Sequence, residues 1–201
     1  MEDATDIALP AEVLPADLGS DEEIDWTAAE ERWGTRLPRD CTAFMSLWGA
    51  GTFGTVGEVS VLMPLPKEYP QWDPGTFEEE TENARHTWEM LHGQEGLDID
   101  PEHILAWGVT SGADILCWLT TDPDPDRWPV LVCGRHTRED FTLFPCGMAE
   151  FLRKLLLDEF DPYPISVRLG DAPRYVHWLE QQRRWKAGLD RYSGEPVPAD
   201  R

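Results

Sequence analysis

Three glycines in the segment WGAGTFG raise the first chemical question. Gly49, Gly51 and Gly54 have the G-x-G-x-x-G spacing of dinucleotide-binding loops. Such a loop binds a pyrophosphate only when a strand enters it and a helix leaves it. Here helical periodicity precedes the glycines, and the β-branched residues 56–65 follow them. We therefore predict a structural role without a cofactor, in which Gly49 ends a helix and the other two permit a tight entry into the first strand.

A second candidate is the aspartate repeat at Asp122, Asp124 and Asp126, which has the spacing that begins a calcium-binding loop. Such a loop needs glycine at its sixth position and a bidentate glutamate at its twelfth. Arg127 and Cys133 stand there instead. We predict an acidic hairpin loop without calcium, and we keep its three aspartates as candidate contacts for a basic protein partner.

The third candidate is a run of glutamates, formed by Glu78, Glu79, Glu80 and Glu82. Part of the run has a local explanation, because Thr76-x-x-Glu79 is a capping box and acidic residues suit the first turn of a helix. Residues 68–102 nevertheless hold eleven acidic residues against one basic residue, which is more than capping needs. Two interpretations stay open: a solvated helix face, and a docking site for a basic protein.

The histidines and cysteines predict no metal or catalytic site. The sequence lacks H-E-x-x-H, C-x-x-C and zinc-ligand spacings, and it lacks the G-x-S-x-G motif of a nucleophile elbow. The cysteines are expected to be small apolar residues in a reducing compartment, which favours the cytoplasm. An enzyme with a triad assembled from distant residues is kept as a minor alternative. The residues concerned are the histidines at 86, 92, 103, 136 and 177 and the cysteines at 41, 117, 133 and 146.

Hydrophobic periodicity predicts the elements that position these residues. Two short helices precede the glycines, the first beginning with a capping box at Thr27 and ending at Gly34, the second beginning at Pro38. Short turns separate the later apolar segments, so we predict hairpins, an antiparallel sheet and an α+β fold with a covering C-terminal helix. The predicted strands are 56–65, 103–109, 113–120, 128–133 and 140–144, and the later helices are 76–92, 148–160 and 173–187, the last with Tyr175, Trp178, Leu179 and Trp185 inward.

Composition indicates one domain with appendages in a chain of 201 residues. We predict an acidic flexible tail over 1–20, the α+β domain over 21–160 and a helical extension over 161–201. The net charge is −22, and residues 1–160 contain 33 acidic against ten basic residues. Such a charge disfavours nucleic acid and anionic membranes as partners, and it favours a monomer or weak homodimer. We expect neither a membrane span nor a secretory signal.

The order of the motifs over residues 22–160 resembles the SUKH superfamily. The early part of the pattern is a helical glutamate, a Gly-x-x-Leu-Pro segment, and a helix that ends in F-x-x-x-W-G-A-G-T-F-G before a strand. The later part is a strand ending in Trp-Gly, the turn S-G-A-D, the strand W-P-V-L-V and the helix start M-A-E-F-L. The matching residues are Glu30, Gly34, Leu37, Pro38, 44–54, Trp107, Gly108, 111–114, 128–132 and Met148–Leu152, with Trp33 standing where the family usually has leucine.

This resemblance carries functional expectations. The superfamily includes bacterial immunity proteins against polymorphic toxins and fungal cell-wall regulators, and it has no catalytic residue to carry over to this sequence. The resemblance implies a cytoplasmic, non-enzymatic protein that binds a cognate toxin domain. Such a toxin would be basic if its target is nucleic acid, which fits an acidic partner. The alternative is a regulatory scaffold whose cellular partner is unrelated to toxins.

Overall fold

A computed structural model describes residues 13–20, 22–66 and 75–197. Its centre is a seven-stranded sheet in the order β6-β5-β4-β3-β2-β1-β7, in which every neighbouring pair is antiparallel. The predicted α+β class and antiparallel sheet are therefore confirmed. The strands are β1 Gly51–Gly54, β2 Glu58–Val61, β3 Ile104–Thr110, β4 Ile115–Leu119, β5 Val130–Cys133, β6 Phe141–Phe144 and β7 Arg174–His177; the helices are α1 Trp26–Trp33, α2 Arg39–Leu47, α3 Phe77–Met90, α4 Met148–Leu156 and α5 Trp178–Lys186.

Helices cover the sheet on both faces. Alternate residues of β3 divide between two cores: Leu105 and Trp107 face α1, α2 and α4, whereas Ile104 and Ala106 face α3. Because both faces are covered, β3, β4 and β5 are apolar at nearly every position instead of alternating with polar residues. The covering helix predicted at 148–160 is α4, which buries one apolar face against the sheet.

Helix α3 is held over β3 by specific hydrogen bonds. The pairing of β3 with β4 shifts between Ala106 and Gly108, and the Ala106 backbone N–H donates to the Thr81 hydroxyl at 2.9 Å. Ala84, fully buried and small, lets the helix approach the sheet closely. The Arg85 guanidinium donates to the Ile104 carbonyl at 3.1 Å. These contacts fix which side of α3 faces solvent.

The predicted helix boundaries are correct in part. Gly34 ends α1 in the left-handed conformation, and the capping box of Thr76 with Glu79 begins α3, as expected. The capping box at Thr27 is wrong, because the Asp25 side chain caps α1 by accepting from the Ala28 backbone N–H. Pro38 is the N-cap of α2 instead of its first helical residue.

The expected solvated tail is wrong for residues 13–20, which pack on the domain. Leu14 is fully buried, and its carbonyl accepts from the Trp48 indole N–H at 3.3 Å. The Leu18 carbonyl accepts from the His177 backbone N–H at 2.9 Å. Residues 1–12 of that prediction lie outside the described residues.

The C-terminal segment also differs from the prediction. The helix expected over 173–187 begins as strand β7, which pairs with β1 at the edge of the sheet, and only then becomes α5. Tyr175 and Trp178 are buried as predicted, but Leu179 and Trp185 are 51% and 69% exposed. The segment is therefore integral to the sheet, and the predicted extension over 161–201 contributes a strand to the domain.

None of the helices within the described ranges combines the length and the apolar content that crossing a bilayer requires.

Candidate functional site

The glycine segment serves the packing of the chain against itself. Gly49 follows α2 with a φ of +69°, which confirms the left-handed helix end. The expected loop after it is wrong, because Gly51–Gly54 is itself strand β1. A Cβ at Gly49 would lie 2.5 Å from the Ser20 carbonyl oxygen and 2.6 Å from the His177 ring, and one at Gly51 would lie 2.5 Å from the Val176 carbonyl oxygen. The glycines thus allow β7 to approach β1.

A buried polar cluster lies against these glycines. The His177 Nε2 lies 2.7 Å from a Glu22 carboxylate oxygen, and the Trp178 indole N–H donates to the same oxygen at 3.0 Å. The His177 Nδ1 accepts from the Leu179 backbone N–H, so Nε2 carries the proton donated to Glu22. The Tyr175 hydroxyl donates to the Gly49 carbonyl at 2.5 Å. All four polar side chains are buried, and we assign them to holding the two ends of the domain together.

The aspartate loop is neutralised within the molecule. Asp126 accepts from Arg36 at 2.9 Å and from the Arg39 side chain and backbone N–H at 2.7 and 2.8 Å. Burial acts to raise the pKa of Asp126, but the hydrogen bonds from the two arginines lower it to about 2. Asp124 also pairs with Arg36, and Asp122 with Arg127. The loop thus joins the β4–β5 connection to α2, and contact of these three aspartates with a partner stays a prediction.

The predicted glutamate run divides into different roles. Glu78 pairs with Arg32 of α1, and Glu79 completes the capping box. Glu80 accepts a hydrogen bond from Asn83 at 3.1 Å. The Glu82 carboxylate has no hydrogen-bond or ion-pair partner within the described chain and is exposed.

Sequence reasoning missed three acidic residues that extend the surface around Glu82. Glu89 lies two turns further along α3, and Glu95 and Asp98 lie in the following loop. All are exposed, and none of their side-chain carboxylates has a hydrogen-bond or ion-pair partner in the part of the chain that the structure describes. We call Glu82, Glu89, Glu95 and Asp98 the acidic α3 surface. Its only sequence signal was the excess of acidic residues over 68–102; residues 67–74 lie outside the described chain.

Two apolar side chains are exposed at the end of the same helix. Met90 and Leu91, at the end of α3, are 60% and 44% exposed. Exposed apolar side chains surrounded by charged ones are common at protein-binding sites.

A cleft of about 500 Å³ lies beside the same helix. Its floor is the part of the sheet that α3 leaves uncovered, and its wall is formed by polar residues of α3. We call it the α3 cleft; its floor includes Val109, Ile115 and Cys133, and its wall includes Glu80, Asn83 and Thr87. Arg135 and His86 lie at its rim. No sequence motif marks this cleft.

Within the described ranges, no group of three or more histidine, cysteine or acidic side chains is arranged to hold a metal ion. Comparisons of the chain with protein-family models, with curated proteins and with solved structures found no match.

Proposed function

We propose that this chain is a non-enzymatic binding protein, namely an immunity protein that neutralises a basic toxin domain in the cytoplasm of the producing bacterium. The observation that carries the proposal is the acidic α3 surface, whose four carboxylates have no partner in the described chain, together with exposed Met90 and Leu91 at the end of the same helix. The SUKH-like order of the sequence motifs supports the same class of function.

The carboxylates of this surface are available for intermolecular pairing. A partner cation can approach Glu82 or Glu89 without displacing an arginine of this chain, in contrast to Asp126, which already has two. A domain that binds nucleic acid needs clustered lysine and arginine, so its phosphate-binding groove is complementary in charge to this surface. Steering by such complementarity raises association rates by about 10- to 1,000-fold at low salt.

The surface is also rigidly held, which lowers the entropic cost of association. Thr81 and Arg85 fix α3 to β3 by hydrogen bonds on its buried side. The exposed side therefore keeps one orientation before the partner arrives. Preorganisation of this kind strengthens binding because fewer groups need ordering in the complex.

The test uses the product of the gene that neighbours the one for this chain, purified and titrated by calorimetry. The variant Glu82→Lys/Glu89→Lys/Glu95→Lys/Asp98→Lys reverses the acidic α3 surface. We expect it to weaken binding by at least about 100-fold, because each carboxylate loses its attraction and becomes a repulsive site. The matched control, Glu23→Lys/Glu31→Lys/Asp171→Lys/Glu195→Lys, makes the same charge change at exposed positions elsewhere and should weaken binding far less.

Two results would count against the proposal. Equal weakening by both variants would show that net charge, and not this surface, governs binding. Wild-type affinity that barely changes between 50 and 500 mM salt would show that charge complementarity is not the driving force. A neighbouring gene product that neither kills cells nor binds this chain would favour the regulatory scaffold instead.

A further inference from the structure

We propose that the α3 cleft receives a single arginine side chain of the basic partner, with Glu80 as its counter-ion. This inference rests on the proposed function. It identifies the side chain of the partner that would be held in the cleft. It follows from the shape of the cleft, from the charge around its floor and from the hydrogen-bond acceptors on its wall.

The cleft has the dimensions and surface of a side-chain receptor. It lies between α3 and the uncovered end of the sheet, and its volume of about 500 Å³ exceeds that of one long side chain. The floor residues Ile115 and Cys133 are buried and Val109 is half-buried, so the floor is apolar. An aliphatic stem can lie on this floor while its charged end meets the polar wall.

Glu80 supplies the charge on that wall. Its carboxylate is half-buried, accepts from Asn83 Nδ2 at 3.1 Å, and has no ion-pair partner in the described part of the chain. A half-buried carboxylate without a counter-ion is costly to desolvate unless a cation joins it. An incoming cation would therefore find a partner that no group of this chain occupies.

The pKa values of two thiols in the sheet beneath α3 depend on burial and on the charges around them. Burial raises the pKa of Cys117, and Cys133 and Glu80 raise it further, whereas Arg85 lowers it. Burial raises the pKa of Cys133 to about 12, with further contributions from Asp114 and Asp140 and an opposing hydrogen bond from Thr87. Burial is the larger cause in both cases, and the nearby carboxylates of Glu80, Asp114 and Asp140 add a negative contribution at the floor that favours a cation.

The buried Asp114 adds a further carboxylate near the floor, and it has no ion-pair partner among the described residues. Its carboxylate accepts from the hydroxyls of Thr110 and Ser166, each at 2.7 Å, and from the backbone N–H groups of Ser166 and Arg135. The Arg135 side chain is exposed at the rim. We expect it to act as a weak repulsive charge toward an incoming guanidinium.

Arginine fits this arrangement better than lysine does. The guanidinium has five N–H donors in a planar fork, and the wall offers the Glu80 carboxylate, the Asn83 amide oxygen and the Thr87 hydroxyl as acceptors. The guanidinium is also less strongly hydrated than an ammonium group, so it loses less on entering a cleft with an apolar floor.

The experiment uses small probes on the intact protein. N-acetyl-arginine-N′-methylamide is titrated while NMR follows the methyl groups of Val109 and Ile115, with the citrulline and lysine analogues as controls. Citrulline keeps the shape of arginine and removes its charge. We expect the arginine probe to shift both methyl signals with a dissociation constant of about 1–10 mM, and the citrulline probe to bind at least about 10-fold more weakly.

Variants of the cleft give effects of opposite sign. Glu80→Gln should weaken the arginine probe at least about 10-fold, whereas Arg135→Ala should strengthen it about 2- to 5-fold by removing the like charge. Glu31→Gln, at an exposed position of α1 away from the cleft, should change it less than about 2-fold. Equal binding of arginine and citrulline, or an unchanged affinity in Glu80→Gln, would overturn the inference.

The cleft inference and the proposed function can be tested independently of each other. If the arginine probe binds nowhere in the cleft but the toxin still depends on the acidic α3 surface, the inference is wrong and the proposed function stands. If the probe binds as expected but no basic toxin is bound, the cleft assignment stands alone. With the toxin in hand, a double-mutant cycle between Glu80→Gln and each toxin arginine should single out one strongly coupled residue.

Discussion

Gly34 and Gly49 have nearly the same backbone conformation but very different surroundings. Their φ angles are +68° and +69°, and each follows a helix. A Cβ at Gly34 would meet nothing within 4 Å, whereas one at Gly49 would collide with Ser20 and His177. Gly34 therefore needs glycine only for its left-handed backbone, whereas Gly49 also needs it because no side chain fits there.

Alanine substitutions measure the two reasons. Gly34→Ala should lower the free energy of unfolding by about 1–2 kcal/mol, the cost of a left-handed non-glycine residue. Gly49→Ala should lower it by about 3 kcal/mol or more, because overpacking adds to the same conformational cost. Urea denaturation followed by tryptophan fluorescence gives both values. Equal losses would show that the contact with His177 is unimportant.

At the scale of elements, Asp126 ties the β4–β5 connection to the start of α2. Its carboxylate accepts a hydrogen bond from the Arg39 backbone N–H, which lies in the first turn of α2 and therefore has no acceptor within the helix. The same carboxylate also pairs with the guanidinium groups of Arg36 and Arg39. One carboxylate thus joins two segments that are distant in the sequence. Its lowered pKa gives this connection a defined pH dependence.

Asp126→Asn should lower the free energy of unfolding by about 1–2 kcal/mol at pH 7. The folded-state pKa is about 2, below the unfolded value of about 3.9. The charged form therefore stabilises the fold above about pH 4, and this contribution disappears as the pH falls toward 2. The difference between wild type and variant should shrink over that range in chemical denaturation. Asp98→Asn, at an exposed and unpaired carboxylate, should show no such difference.

Strands β3 to β6 were predictable because their pairing is local. Each consecutive pair is adjacent both in the sequence and in the sheet, and the apolar runs identify the strands before any tertiary contact is known. Strand β7 was not predictable in the same way. Its four residues run directly into the helical pattern of α5, and only pairing with the distant β1 makes them a strand.

The candidate site was predictable only as a charge excess. The surplus of acidic residues located the region of α3. The sequence did not show that Asp126 forms ion pairs with Arg36 and Arg39. Nor did it show that the Glu89 and Asp98 carboxylates have no partner in the described chain. The α3 cleft depends on how far α3 covers the sheet. That position is set by non-local contacts such as Thr81 with Ala106.

At the scale of the whole molecule, a net charge of −22 opposes compaction. Repulsion among exposed carboxylates is strong at low ionic strength and is screened when salt shortens the Debye length from about 30 Å at 10 mM to about 8 Å at 150 mM. The folded state concentrates these charges more than the unfolded chain does. Salt should therefore stabilise the fold.

Raising NaCl from 10 to 300 mM should increase the free energy of unfolding by about 1–2 kcal/mol, which corresponds to a rise in Tm of about 2–8 °C for a chain of this size. Calorimetry at fixed pH measures the shift. The variant with all four residues of the acidic α3 surface changed to lysine should unfold at a higher temperature at 10 mM NaCl and respond less to salt. A Tm that stays flat or falls in the wild type would contradict this account.

The pairing of β1 with β7 has a consequence for biosynthesis. The ribosome makes β1 about 120 residues before β7, a delay on the order of ten seconds at roughly 5–20 residues per second. During that interval the nascent chain displays an unsatisfied strand edge next to an aromatic cluster that still lacks Tyr175. Completion of the sheet must therefore wait until β7 has been synthesised.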